Sequence, residues 1–172
     1  MGKAKDQKPR WGWLRDFALL AAVVVGITWY QTRDHVGGVS PAFDLQVLGG
    51  DDARVSSESL RGKPTLIYFW APWCGVCEAS SHNVSATHAA VDDANVFSIA
   101  VEYRSLDNVR DFVERNDATY PVLLGESGTT AKWAVTSFPT IYVLDADGNV
   151  SSSVVGYTTE IGLRARLWWA GL

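Results

Sequence analysis

The apolar and polar positions divide the chain into one uncharged N-terminal run and a longer body in which strand-like and helix-like patterns alternate. Phe17–Tyr30 (FALLAAVVVGITWY) is fourteen residues without a charge. Beyond Pro41, Phe43–Leu45 with Val47 and Leu48 predicts a short strand running into a Gly-Gly-Asp-Asp turn. Thr65–Trp70 (TLIYFW) carries no charge and is rich in β-formers, the pattern of a central strand covered on both faces. Ala71-Pro72-Trp73 interrupts it, and a helix is predicted from Cys74 towards Ala90. Val96–Val101 predicts the next strand, after which Leu106, Val109, Phe112 and Val113 recur at helical spacing. Tyr120–Leu124 predicts another short strand and Thr130–Val135 a weak helix. Ile141–Leu144 and Val150–Val155 flank the turn Asp145–Gly148 and predict a hairpin. Thr158-Thr159-Glu160 caps a last helix running through Trp169. Strands and helices in this order predict an α/β fold with a mixed central sheet.

With 172 residues the chain has room for one ordinary domain and an appendage. The expected organisation is a basic cytoplasmic tail over 1–13, a membrane anchor or signal segment over 14–32, a linker over 33–40 and a globular domain over 41–172. Trp11 to Tyr30 is twenty residues, and a helix of that length reaches about 30 Å, the thickness of a hydrocarbon layer. Trp11 and Trp13 at one end and Trp29 and Tyr30 at the other suit the two interfaces. The run ends in Ile-Thr-Trp-Tyr-Gln, too bulky for a peptidase that needs small residues, so an uncleaved anchor is expected over a cleaved signal.

Residues 1–33 hold six basic side chains against two acidic ones, and the remainder nine against seventeen. The basic end is expected to stay in the cytoplasm, which sends the body outside, into a compartment that permits disulfides. An acidic body gives no footprint for a phosphate backbone, and no nucleic-acid partner is expected.

The only two cysteines are Cys74 and Cys77, in one Cys-Gly-Val-Cys between a predicted buried strand and the start of a helix. Unpaired N–H groups at a helix N-terminus stabilise an anion, and the thiolate is the attacking species in disulfide exchange. Cys74 is expected to be the exposed nucleophile and Cys77, one turn inside, the thiol that resolves a mixed disulfide. Position 78 is Glu, which excludes covalent haem attachment. A structural zinc site lacks a second cysteine pair, and His82 and His88 on the same helix cannot close a tetrahedral set, so no metal is expected. The redox-active pair itself is the only cofactor expected.

The run LRGKPTLIYFWAPWCGVC (Leu60–Cys77), the Phe138-Pro139-Thr140 segment and the Asp145–Gly148 turn together resemble thioredoxin-like proteins of the TlpA type. The ending GYTTEIGLRARLWWAGL, taken with WCGVC, resembles the membrane-anchored suppressor-of-copper-sensitivity D group, the ScsD-like disulfide oxidoreductases. The resemblance spans roughly residues 40–172. It implies a thioredoxin-like fold with an inserted βα element, for which Val96–Pro121 is the candidate, preceded by an N-terminal transmembrane helix. It also implies a single pass through a bacterial inner membrane with the catalytic domain facing the periplasm. The redox pair is then Cys74 and Cys77, and Pro139 is a cis-proline that presents the client backbone beside them. Trp73, Gly75, Val76 and Phe138 are expected to touch the client.

Departures from that pattern are specific. Tyr68 stands where thioredoxins place a buried acid, Ser80 where many TlpA-type reductases have a helix Glu, His82 in place of a helix-kinking proline, and Gly75 in place of a proline between the cysteines. The proton acceptor for Cys77 is therefore unassigned, with Glu78 and Glu102 as nearby carboxylates. No basic residue separates the cysteines and Glu78 adds a negative charge, which favours a reductase over a strong oxidant. The expected partners are protein thiols and disulfides and a membrane electron donor. A copper(I)-binding or copper-stress thiol module and an apocytochrome-directed thiol reductase are the alternatives.

Overall fold

The computed structural model describes residues 12–32 and 37–171 and divides into two units, 1–34 and 35–172. In the first unit the apolar run forms helix α1 (Gly12–Thr32). Trp13, Phe17, Leu19, Leu20 and Val23 on it are exposed, and Arg15 pairs with its neighbour Asp16 at 3.4 Å. After these charges α1 is uncharged from Phe17 to its end at Thr32, with the polar Gln31 and Thr32 closing the run. Among the described residues, no helix is long and apolar enough to cross a membrane. Most of the expected tail over 1–13 and the first part of the linker over 33–40 lie outside the described residues.

The second unit is built on a six-stranded sheet. Its strands are β1 (Gly38–Val39), β4 (Thr65–Trp70), β5 (Asn95–Ala100), β6 (Val122–Leu124), β7 (Thr140–Leu144) and β8 (Asn149–Val155), in the order β1-β8-β7-β4-β5-β6. β4, β5 and β6 run parallel, whereas β7, β8 and β1 are joined antiparallel. A separate antiparallel pair joins β2 (Asp44–Gln46) and β3 (Arg54–Ser56). The chain therefore has the mixed α/β sheet of a thioredoxin-like fold.

β4 is paired on both edges, with β5 and β7, and a hydrophobic core covers each of its faces, which explains its uncharged run. Leu66, Tyr68 and Trp70 enter one core with Val84, Phe112, Tyr120 and Leu163, while Ile67 and Phe69 enter the other with Phe97, Trp133 and Tyr142. The alternation follows from the two-residue period of a strand. Helices α2 (Gly75–Ala90), α3 (Leu106–Arg115) and α5 (Glu160–Ala170) supply side chains to the first core. Ser105 caps α3 by accepting from Asn108 N–H, and Thr159 caps α5 by accepting from Gly162 N–H. Trp70 stacks on Phe112 with ring centroids 3.9 Å apart, which ties α3 to the C-terminal end of β4.

The structure adds short elements that the pattern does not predict. The region expected as linker over 33–40 contains β1, whose Gly38 and Val39 pair with Val150 and Asn149, because the outer edge of β8 offers unpaired backbone groups. The stretch 54–56, to which the pattern assigns no element, is β3; two three-residue strands are too short for a period-2 signal. The stretch 96–121, the candidate for an inserted βα element, supplies most of β5 and the whole of α3, and β5 pairs with both β4 and β6. The weak helix around 130–135 is one turn, α4 (Thr129–Lys132).

Candidate active site

β4 ends at Trp70, and Ala71-Pro72-Trp73 carries the chain over the edge of the sheet into α2. Cys74 N–H donates to Ala71 O at 3.0 Å, which closes this turn. Cys74 is the N-cap of α2, with extended φ and ψ of −88° and 104°. Its sulfur occupies the capping position usually held by a hydroxyl or carboxylate oxygen and accepts from Cys77 N–H at 3.2 Å. The first turn of α2 therefore aims an N–H donor and the positive end of the helix dipole at the Cys74 sulfur, an arrangement that stabilises a thiolate.

Cys74 and Cys77 are joined in a disulfide with Cα atoms 5.2 Å apart. The sulfurs are not equivalent. Cys74 keeps 7% of its surface accessible, and Cys77 none. Attack from outside is open only to Cys74. Around it Trp73 is 66% exposed and Val76 49% exposed, an apolar rim beside the attacking sulfur.

The Phe138–Pro139 bond is cis. Trp73 and Phe138 meet edge to face, with ring centroids 5.8 Å apart, so the loop before β7 stands against the segment that carries Cys74. Pro139 is buried, and its carbonyl is taken by Gly156 N–H at 2.8 Å. Phe138 is half-buried and its main chain forms no hydrogen bond among the described residues. The structure thus gathers Trp73, Cys74, Gly75, Val76, Cys77 and Phe138 into one region.

Beneath the pair the sheet supplies phenols and no carboxylate. Tyr68, fully buried on β4, donates its hydroxyl to Cys77 O at 2.8 Å. One turn further along α2, Ser81 Oγ and Tyr120 Oη share a hydrogen bond of 2.8 Å, and the Tyr68 and Tyr120 rings meet edge on at 6.0 Å. Burial, with a smaller contribution from the neighbouring Tyr120, pushes the Tyr68 phenol far above its ordinary range. Burial pushes Tyr120 up to about 12, against an opposing effect of its bond to Ser81. Both phenols are therefore neutral at physiological pH and accept no proton from a thiol. Tyr120 and Ser81 were not singled out from the sequence; nothing in their local pattern sets them apart from core residues.

The two carboxylates considered as proton acceptors lie on the surface. Glu78 is half-exposed and paired with Arg115 at 3.2 Å. That pairing offsets the negative charge which the sequence alone sets against a thiolate at Cys74. Glu102 is exposed, has a positive φ of 51°, and borders a cleft of about 450 Å³ with Pro72, Trp73, Tyr103, Arg104 and Arg115. Among the described residues, no Asp, Glu, His, Lys or Arg is buried. His82 is exposed and His88 is half-buried, and among the described residues no group of three or more His, Cys, Asp or Glu could hold a metal ion. A larger cleft of about 810 Å³, lined by Pro64, Val91 and Trp168 among others, lies at the opposite end of β4 and contains no nucleophile.

Residues 36–153 match the AhpC/TSA family. The chain is 30% identical over 166 residues to the thioredoxin-like protein YneN of Bacillus subtilis, covering 90% of this chain and 96% of that one. It is 27% identical over 150 residues to the thiol-disulfide oxidoreductase ResA of Bacillus cereus, covering 83% and 86%. Among solved structures, a secreted Mycobacterium tuberculosis disulfide oxidoreductase homologous to E. coli DsbE superposes with a TM-score of 0.66 at 26% identity, covering 74% of this chain and 95% of that one.

Proposed function

The chain belongs to the AhpC/TSA family and is a thiol–disulfide oxidoreductase with Cys74 and Cys77 as its redox pair, and on that premise we propose that it is a membrane-anchored, periplasmic reductase of protein disulfides. The observation that carries the reading is the inequality of the two sulfurs: Cys74 caps α2 at the surface, and Cys77 is sealed behind it.

In the reducing direction the Cys74 thiolate attacks one sulfur of a client disulfide. A Cys74–client bond forms, the client S–S bond breaks, and the departing sulfur leaves with the electron pair and takes up a proton. Cys77, as thiolate, then attacks Cys74 Sγ. The Cys74–Cys77 bond forms, the second client sulfur leaves, and it too is protonated. The client gains two electrons and two protons, and the oxidised pair is reset by an external dithiol donor. The exposed Trp73 and Val76 and the half-buried Phe138 offer the client an apolar seat, and the free N–H and C=O of Phe138 suit pairing with an extended client strand.

The absence of a cation between the cysteines supports a reductase over a strong oxidant. The anchor is supported by the apolar side chains exposed along α1 and by the excess of basic residues at its N-terminal side. Arg15 and Asp16, paired with each other, then sit at the headgroup layer.

The experiment is a pair of trapping variants in the full chain. Cys77→Ser is expected to accumulate mixed disulfides with client proteins through Cys74, and Cys74→Ser to accumulate few. Equal trapping by both variants would overturn the assignment of the nucleophile. A redox titration against glutathione tests the direction, and a potential at the strongly oxidising end of the known range would reverse it.

A further inference from the structure

The Cys77 backbone is held from two sides. Its N–H is shared between Cys74 O at 3.0 Å and Cys74 Sγ at 3.2 Å. Its C=O, which heads the next peptide unit, accepts the Tyr68 hydroxyl at 2.8 Å in addition to its place in the helix. Tyr68 is itself immovable: it is fully buried in the middle of β4, opposite Ser98 on one side and Ile141 on the other. The edge of the Tyr120 ring closes the space beside it. Cys74 is held by local backbone bonds, its N–H donating to Ala71 O at 3.0 Å and its C=O accepting from the N–H groups of Cys77 and Glu78 at 3.0 and 3.2 Å. Its flanking residues are the turn Pro72-Trp73 and the exposed Gly75.

From this we infer that Tyr68 is a positioning residue for the redox pair: by fixing the Cys77 carbonyl to the central strand, its hydroxyl keeps the Cys77 N–H aimed at the Cys74 sulfur when the disulfide is open. In the oxidised protein the S–S bond adds a covalent link to the hydrogen bonds of this turn. In the reduced protein that restraint is gone, and the first turn of α2 is the part most free to fray. The Tyr68 bond replaces the lost covalent restraint at Cys77. It thereby keeps one charge-assisted N–H···S bond available to the thiolate, the species that attacks the client. The hydroxyl takes no part in proton transfer and touches no client. The inference rests on the reading of Cys74 as the client-facing sulfur.

The test is Tyr68→Phe, which removes one oxygen from a buried ring and leaves its packing in place. The pH dependence of Cys74 alkylation in the reduced full chain is expected to move up by about one unit, so that roughly tenfold less thiolate is present at neutral pH. The midpoint potential is expected to move in the reducing direction, since the reduced form loses stabilisation. Ser81→Ala is the structural comparison. It cuts the tie to Tyr120 one turn deeper and should lower Tm without moving the Cys74 titration.

An unchanged titration in Tyr68→Phe overturns the inference, as does an equal shift in both variants. Should Tyr68→Phe not fold, amide exchange in the reduced wild-type chain decides the matter. A protected Cys77 amide supports the pin, and exchange as fast as an exposed loop overturns it. If the Cys77→Ser variant fails to trap clients, the underlying reading fails. If trapping succeeds and Tyr68→Phe titrates like wild type, only the role of Tyr68 fails.

Discussion

A side chain with two-thirds of an indole in solvent has little to contribute to folding, and Trp73 is such a side chain beside the attacking sulfur. Its edge-to-face contact with Phe138 positions it without burying it. Trp73→Ala is therefore expected to slow reduction of a protein disulfide such as insulin roughly tenfold, about 1.4 kcal/mol of lost transition-state binding. Reduction of a small disulfide such as oxidised glutathione should change little, and Tm should barely move, because truncation at the surface costs about 0.5 kcal/mol or less. Equal loss on both substrates would mean that Trp73 shapes the sulfur chemistry and not the client seat. At this scale the cysteines, Trp73 and Pro139 are legible in the sequence because spacing, a strand break and a resemblance all bear on them. The bond from Tyr68 to Cys77 is not legible. It joins a strand to a helix across the sheet surface, and no local pattern reports which buried phenol meets which carbonyl.

Elements that carry a strong periodic signal are found where the sequence puts them, and elements of two or three residues are not. β4, α2 and the β7–β8 hairpin fall within a residue or two of their expected bounds, since six uncharged residues, a helix cap and an Asp-x-x-Gly turn are strong signals. Gly148, with φ of 84°, supplies the left-handed residue that the turn requires. β1 depends on a partner distant in sequence, and β3, paired with the strand just before it, is too short to leave a periodic signal of its own. The attachment of α3 is a tertiary fact of the same kind: it depends on Phe112 stacking on Trp70, both inaccessible to solvent. Phe112→Ala is expected to cost about 3–5 kcal/mol in denaturant unfolding, the range for truncating a buried aromatic. Glu102 and Arg115, which border the cleft beside Trp73, lie at the two ends of this segment. Client reduction should therefore fall further in Phe112→Ala than the unfolded fraction accounts for, provided α3 forms a wall of the client site. A fall that tracks stability alone would remove α3 from client recognition.

For the whole globular unit, the distribution of ionisable groups sets how stability responds to pH. Every described Asp, Glu, His, Lys and Arg lies at least partly at the surface, so acid meets no buried carboxylate or imidazole. The buried titrating groups with raised values are Tyr68, held far above its ordinary 10.0, and Tyr120, pushed up to about 12. A folded-state value above the unfolded one means that the native state holds its proton longer. Below pH about 10 both phenols are protonated in the native and unfolded chains alike, and their contribution is fully present. Above it the unfolded chain releases phenolic protons that the native chain retains, so stability declines as pH rises from about 10 through 12. Each of the two tyrosines should steepen that decline by about 1.4 kcal/mol per pH unit once the unfolded phenol is ionised. Chemical denaturation of the oxidised protein between pH 7 and pH 11 measures it: a plateau is expected up to about pH 9.5, then a fall. Tyr120→Phe should lower stability on the plateau, through loss of its bond to Ser81, yet flatten the alkaline slope, because the unfolded chain then has one fewer proton to release. A slope unchanged in Tyr120→Phe would show that this phenol ionises as readily in the native protein as in the unfolded chain, and would contradict its burial against Tyr68 and Ser81.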